Sequence, residues 1–476
     1  MINKKFIHVF LFIMIYIAAC KTPYIAEKEI VQIPKESFQG SHDSTNAATM
    51  NWRQYFLDPY LNALIDSALN HNQELNIMNQ EIRMKSNEVL ARKGEYQPFV
   101  NLGGAMGAEK VGRYTNIGAS EATTDIKPGI ETPEPLPDFK MSAFASWEID
   151  IWHKLRNAKK AAFSQYLASI EGKNFMVTNL IAEIANAYYE LLALDNQLLI
   201  VNQNIEILNN AVQIVRLQKE ATKVTELAVK KFEAEVYKTK SLQYDIQQQI
   251  VVVENNINFL VGRYPQKIVR STININDLSI PMIQVGIPSQ LLQNRPDIRQ
   301  AEQELEAAKL NVKAARANFY PSLRISAELG LQAFNPIYLV NVPKSLLSSL
   351  AGELIGPLIN KNAIKATYYN ANATQIQAVY KYERTVLIAF VEVANQLAQM
   401  ENLNKSYEFR TQQVDALTQS IDIANRLFKF ARADYMEVLM TQRDALESKF
   451  DLVETKKKQL NVWINLYKAL GGGWNH

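Results

Sequence analysis

The sequence predicts a mainly α-helical protein with a β-barrel part, built by internal duplication. Three observations predict it: two long stretches free of glycine and proline, segments of apolar–polar alternation ahead of each stretch, and local motifs that recur about 200 residues apart. With 476 residues the chain exceeds one compact core. Its 47% apolar and 21% charged residues exclude a disordered chain. A net charge of +3 leaves no electrostatic footprint for nucleic acid, so none is expected as a partner. His8, His42, His71, His153 and His476 show no metal-ligand spacing. The single cysteine, Cys20, excludes an intramolecular disulfide and a Cys-based zinc site. No metal or other cofactor is expected.

Residues 1–19 read as a signal peptide. Lys4 and Lys5 precede an apolar run, Phe6 to Ile17, that is too short for a membrane span. The run ends in Ile17-Ala18-Ala19-Cys20, which resembles the bacterial lipobox. That resemblance implies a diacylglycerol and an N-acyl chain on Cys20, and Lys21 after it favours the outer membrane. Residues 20–51 would be the lipid-anchored segment. No later stretch reaches the ~18 apolar residues of a spanning helix, so further crossing requires β-strands.

No glycine or proline occurs between Gly172 and Gly262, or between Pro357 and Gly471. Such stretches read as long helices. Ile181, Ile184, Tyr188 and Leu191, then Leu198, Val201, Ile205, Leu208, Val212 and Val215, step mostly by 3 and 4. Val386, Phe390, Val393, Leu397 and Met400 do the same, followed by Val414, Leu417, Ile421 and Phe428. This is coiled-coil periodicity. Each stretch weakens near its middle, around Glu220–Lys223 and Lys429–Asp434, and is expected to fold as a helical hairpin. The long arms, near 155–218 and 361–428, would measure about 95–100 Å, and the returning arms about 55 Å. Shorter helices are expected from Asp58 to Arg92 and from Asn294 to Asn318, the latter with Asn294 as N-cap, Pro296 in the first turn and Asp297 at the positive end. The polar faces are rich in Asn and Gln, as at Asn202-Gln203-Asn204 and Gln247-Gln248-Gln249. A plain solvated face and a wet interior that holds ions weakly both fit that composition.

The two copies align through Asn157-Ala158-Lys159-Lys160-Ala161 with Asn362-Ala363-Ile364-Lys365-Ala366, and through Thr225-Glu226-Leu227-Ala228-Val229 with Asp434-Tyr435-Met436-Glu437-Val438. They divide the chain into a first repeat, 52–265, an equatorial linker, 266–288, and a second repeat, 289–476. Each repeat would hold a helix, a β-hairpin (about 98–151 and 321–359) and a long helical hairpin (about 155–262 and 361–470). In the first, Phe139, Met141, Ala143, Ala145, Trp147, Ile149 and Ile151 alternate with polar residues, Phe144 being the exception. Its partner is Pro98 to Lys110, across an exposed loop, Val111 to Asp138. In the second, Leu323, Ile325, Ala327, Leu329, Leu331 and Ala333 alternate with polar residues, and the partner lies near Leu346 to Leu358. Four strands are too few to close a barrel, and open edges are not viable in lipid. Three chains pooling four strands each would give twelve.

Ser146-Trp147-Glu148-Ile149-Asp150 running into Leu155-Arg156-Asn157 resembles the strand-to-helix junction of the TolC-like outer-membrane efflux lipoproteins. Leu291-Leu292-Gln293-Asn294-Arg295-Pro296-Asp297-Ile298-Arg299 resembles that family's best-marked motif. Ala315-Arg316-Ala317-Asn318-Phe319-Tyr320-Pro321 resembles its helix-to-strand passage, and Tyr435-Met436-Glu437-Val438-Leu439 its second periplasmic tip. The match covers essentially the whole chain in order. It implies a homotrimer with a 12-stranded transmembrane barrel and a long periplasmic α-helical barrel, serving as passive exit duct of a tripartite pump. The implied partners are a periplasmic adaptor protein, an inner-membrane transporter of the resistance-nodulation-division type, and outer-membrane lipid. Junction residues carried over are Trp147, Asp150, Trp152, Asn157 and Asn362. The tips and junctions of the family usually carry glycine. Here Thr222 and Ala431 stand at the tips, and His153, Lys361 and Asn362 at the junctions, so the tip turns are expected to differ locally.

A duct needs no catalytic group, and no Ser/His/Asp set, HExxH or phosphate-binding glycine loop is present. It needs a closable end. Gate candidates at the second tip are Asp415 and Asp422, seven apart with Gln419 between them, Glu437 on the returning arm, and Arg426, Arg432 and Asp434, close enough to pair with them. Phe99, Trp147, Trp152, Phe319 and Tyr320 fit either an interfacial aromatic girdle or junction packing. A membrane-anchored coiled-coil scaffold without a pore is the alternative reading.

Overall fold

The computed structural model describes residues 22–25, 28, 47–281, 285–286, 288–430 and 432–474. The signal peptide, Cys20 and Ala431 lie outside them. The helices are α1 (Pro59–His71), α2 (Gln73–Glu95), α3 (Lys154–Glu220), α4 (Glu226–Val261), α5 (Pro296–Ala317), α6 (Asn362–Lys429) and α7 (Tyr435–Ala469). The long strands are β1 (Phe99–Glu109), β2 (Leu136–Ile149), β3 (Ser322–Ala333) and β4 (Leu346–Ile355). Among the described residues no helix is long and apolar enough to cross a membrane. The described residues form two compact units, one holding those within 83–166 and 303–379, the other those within 47–82, 167–302 and 380–474.

The first unit is built on one antiparallel sheet in the order β1-β2-β3-β4. The two expected hairpins are present and join through β2 and β3, which pair from Phe139–Ala333 to Ile149–Leu323. Register sorts the side chains. One face carries Val100, Leu102 and Met106 of β1, Phe139, Met141 and Trp147 of β2, Leu323, Ile325 and Leu329 of β3, and Leu350 and Leu354 of β4. The other carries Asn101, Asp138, Lys140, Ser142, Glu148, Arg324, Glu328 and Glu353. The outer edges of β1 and β4 have no partner strand among the described residues. The Val111–Asp138 loop is exposed but locally ordered. It contains a short helix, Asn116–Glu121, capped by the Thr115 side chain, and a small hairpin, Asp125–Lys127 with Ile130–Glu131. Arg113 pairs with Glu134 at 2.7 Å.

In the second unit the helical arms pack on an aromatic and aliphatic core. Tyr55 stacks on Trp463 at 4.3 Å and on Tyr467 at 4.0 Å, and Phe56 meets both edge-on. Ile181, Ile184, Tyr188 and Leu191, the stripe read from sequence, are all fully buried here. Each such side chain contributes about 1.5–3 kcal/mol of transfer free energy. The expected helix from Asp58 to Arg92 is instead two helices. Asn72 breaks it with an extended backbone, donating its Nδ2 to the Leu260 carbonyl and accepting the Leu75 N–H. Gly262 sits opposite with φ 81°, ending α4, and a Cβ there would lie 2.4 Å from the His71 carbonyl oxygen. The break lets α1 and the end of α4 approach backbone to backbone.

The Asn-Arg-Pro-Asp motif also differs from expectation at one position. Asn294 ends a helical turn, Leu291–Asn294, rather than capping α5. Arg295 takes the extended position before Pro296, where proline disfavours helix. Its buried guanidinium forks onto Asp297 at 2.7 and 3.0 Å, and reaches Glu392 on α6 and the Ala469 carbonyl at the end of α7, each at 2.8 Å. One side chain thus ties three helices. Arg295→Ala should lower the urea stability of the helical part by about 3 kcal/mol, because it strands the Asp297 carboxylate and the last carbonyls of α7. Lysine, which cannot fork, should recover only part. A loss below about 1 kcal/mol would show the motif is not a brace.

Candidate functional site

The candidate features are the strand–helix junction, the two helical tips and the polar sheet face. At the junction the backbone must turn from β2 into α3 within four residues. Asp150, buried, caps α3 by accepting the Leu155 N–H at 3.1 Å and the Arg156 N–H at 2.9 Å. His153 adopts φ 59°, and its carbonyl accepts the Asn157 N–H at 2.9 Å. In the second copy the left-handed residue is Asn360, at φ 54°, rather than Lys361 or Asn362. Asn362 opens α6. Trp147 donates its Nε1–H to the Tyr96 carbonyl at 3.0 Å, and Trp152 donates to the Pro321 carbonyl at 2.7 Å while stacking on Tyr320 at 4.7 Å. Phe319 is buried against Val312, Ala315 and Tyr368. Trp152, Phe319 and Tyr320 therefore pack the junction, whereas Phe99 stays exposed at the start of β1.

The first tip keeps the turn the sequence argued against. Thr222 occupies the left-handed region at φ 59°, so the local geometry is retained and the strain is carried by a β-branched residue. The Lys223 N–H closes the turn onto the Gln218 carbonyl at 2.9 Å. Beyond it lies an ion-pair ladder that sequence reasoning missed. Arg216 meets Glu233 at 2.6 Å, Lys219 meets Glu226, and Lys230 bridges Glu226 and Glu233 at 3.8 and 2.9 Å. The spacing of Glu226, Lys230 and Glu233 on one helix face was the available signal.

The second tip is different. Asp415, Gln419, Asp422, Arg426, Arg432, Asp434 and Glu437 are all exposed. Among the described residues none of their charged groups forms an ion pair with another within the chain. Arg426 instead donates its Nε–H to the Asp422 carbonyl at 3.2 Å. Beneath the tips, Leu208, Val212, Val215, Phe232 and Val236 pack with Ala424, Val438 and Leu439. The stripe Val414, Leu417, Ile421 and Phe428 on α6 is only half-buried in one chain.

The model of the family described as outer membrane efflux protein matches residues 64–263 and 287–472. The chain belongs to that family. It is an outer-membrane protein whose relatives are transport channels rather than enzymes. It is 26% identical over 465 residues, 96% of this chain and 95% of the relative, to the pyoverdine export outer membrane protein OpmQ of Pseudomonas putida. It is 25% identical over 453 residues, 94% of each chain, to the cation efflux system protein CusC of Escherichia coli O6:H1. Its fold matches the open state of the Neisseria gonorrhoeae MtrE outer membrane channel with a TM-score of 0.81 at 23% identity, over 94% of this chain and 98% of that one.

Two outcomes follow for the first tip. Thr222→Gly should stabilise it by about 1 kcal/mol, read as slower amide exchange at Lys223; unchanged exchange would mean the left-handed residue carries no strain. Lys219 holds the Glu226 carboxyl, and Arg216 and Lys230 hold that of Glu233, below the ordinary 4.5. A depressed folded value stabilises fully above the ordinary value and is lost as pH falls through the depressed one. Protection of the tip amides should therefore fall below pH 4.5 in wild type, and should already be reduced at neutral pH in Glu226→Gln/Glu233→Gln. A wild type and variant with identical pH profiles would contradict this.

Proposed function

We propose that three copies of this chain form a passive exit duct through the outer membrane, carrying small compounds from the periplasm to the outside. One observation supports this most: a four-stranded sheet with one apolar face, one polar face and two open edges. Lipid demands the apolar face and forbids the edges, so β1 of one copy must pair with β4 of the next. Twelve strands close with the polar faces inward. The repeats 52–265 and 289–476, joined by 266–288, each supply one β-hairpin and one helical hairpin. Around them the half-covered stripe of α6 gains partners in an α-helical barrel. A pore-free scaffold leaves the two sorted faces without a role.

The anchor is placed by the same reading. Ile25 packs on the cluster of Val312, Ala315, Phe319 and Tyr368, just before β3. Acyl chains on Cys20, five residues earlier in sequence, would tether the chain close to this end of the sheet. The tips are the end to be closed and the surface for a periplasmic adaptor, with an energised inner-membrane transporter beyond it. The first tip is cross-braced by its ion pairs. Among the described residues the charges of the second form no ion pair with one another, so threefold packing would bring them together as rings that hold the end shut and that adaptor binding would part.

Two measurements test this. Paired cysteines on the open edges, such as Leu102→Cys with Leu350→Cys, scanned through neighbouring registers, should give disulfide-linked dimers and trimers on oxidation; monomers in every register would refute edge pairing. Replacing Asp415, Asp422 and Glu437 by Ala should raise the single-channel conductance of the isolated protein by roughly twofold or more, and unchanged currents would remove them from the gate.

A further inference from the structure

The polar sheet face also carries apolar side chains, Leu136, Leu347 and Ile355 toward its ends and edge and one aromatic ring, Phe144, in its interior. On β2, Lys140, Ser142, Ser146 and Glu148 share that face with Phe144. Phe144 stands directly opposite Asn101 of β1 and Glu328 of β3. Its neighbours along the strand are the small Ser142 and Ser146, and the facing positions beyond them include Gly103, Gly330 and Ser326. The ring therefore rises from a floor of small side chains and remains 42% exposed. It is the only aromatic side chain in the interior of that face; Phe99 lies at the first residue of β1. An exposed phenyl face amid small and polar groups is open to contact by an aromatic or cationic visitor.

The electrostatics of the same face select the kind of visitor. Its carboxylates are Glu109, Asp138, Glu148, Glu328 and Glu353, and its cations are Lys140 and Arg324. Lys140 is committed to Glu328 at 2.6 Å, and Gln332 donates to Asp138 at 2.9 Å. The surplus is negative and attracts cations. A planar organic cation satisfies both features, its charge drawn by the surplus and its ring by the phenyl face.

We propose that Phe144 is a transient contact for aromatic cations crossing the sheet-lined part of the duct, and that it sets how long they dwell there. The inference rests on three chains closing a barrel with this face inward, which places three copies of the ring at one height. Lumenal substitutions then tune selectivity without altering the lipid face.

The test is current block by ethidium, added on the side of the strand-connecting loops, in single channels of the whole lipidated protein. Wild type should show resolvable block events. Phe144→Ala should shorten them roughly three- to tenfold, the loss of one aromatic contact. Phe144→Leu, which keeps apolar bulk, should shorten them nearly as much, and Phe144→Trp should lengthen them. Potassium conductance should stay unchanged in all three. Equal dwell times in wild type and Phe144→Ala, or no block of wild type, would overturn the inference. So would a variant whose trimer melts earlier while ethidium dwells as in wild type, since the ring would then only cover Gly103 and Gly330. Failure of the barrel itself is distinguishable: no variant, nor wild type, would conduct or run as a trimer.

Discussion

A strand edge in hydrocarbon has no water to satisfy its N–H and C=O groups, and each unmet group costs several kcal/mol. That constraint organises the molecule. The sheet has one face fit for lipid and one fit for water, yet four strands leave β1 and β4 open. Neither a longer loop nor a lipid anchor removes those edges; only more strands do. The duplication supplies two hairpins per chain, and in the proposed duct threefold assembly would supply the rest.

The helical unit is held by contacts of its own. The aromatic stack of Tyr55, Trp463 and Tyr467 and the buried fork of Arg295 hold helix ends that are far apart in sequence. The tips divide the work. Arg216, Lys219, Lys230 and their two glutamates brace the first, while the second keeps its charges for contacts that one chain does not provide.

Periodicity made most of this legible. Ile181 to Leu191 announced a buried stripe, and the alternation from Phe139 to Ile149 announced both faces of β2, with the ends of these elements falling within a few residues of where they were read. What escaped the sequence depends on contacts between distant segments. Asn72 looks like any polar residue in a helix until the Leu260 carbonyl is known to face it. Thr222 takes a left-handed backbone against its β-branched preference, whereas His153 and Asn360 are of types that tolerate it best. Arg216 and Glu233 meet only once the hairpin has folded. Asp415, Asp422 and Glu437 stand exposed in one chain, and helical periodicity alone does not fix which way such exposed side chains reach.

The central claim is that copies of this chain share their sheets to make a sealed tube. Native mass spectrometry of the mature protein extracted from outer membranes, with bilayer currents recorded on the same preparation, tests it most directly. The account predicts one species of three lipidated chains that conducts ions. A stable single chain in detergent and bilayer alike, carrying no current, would contradict it.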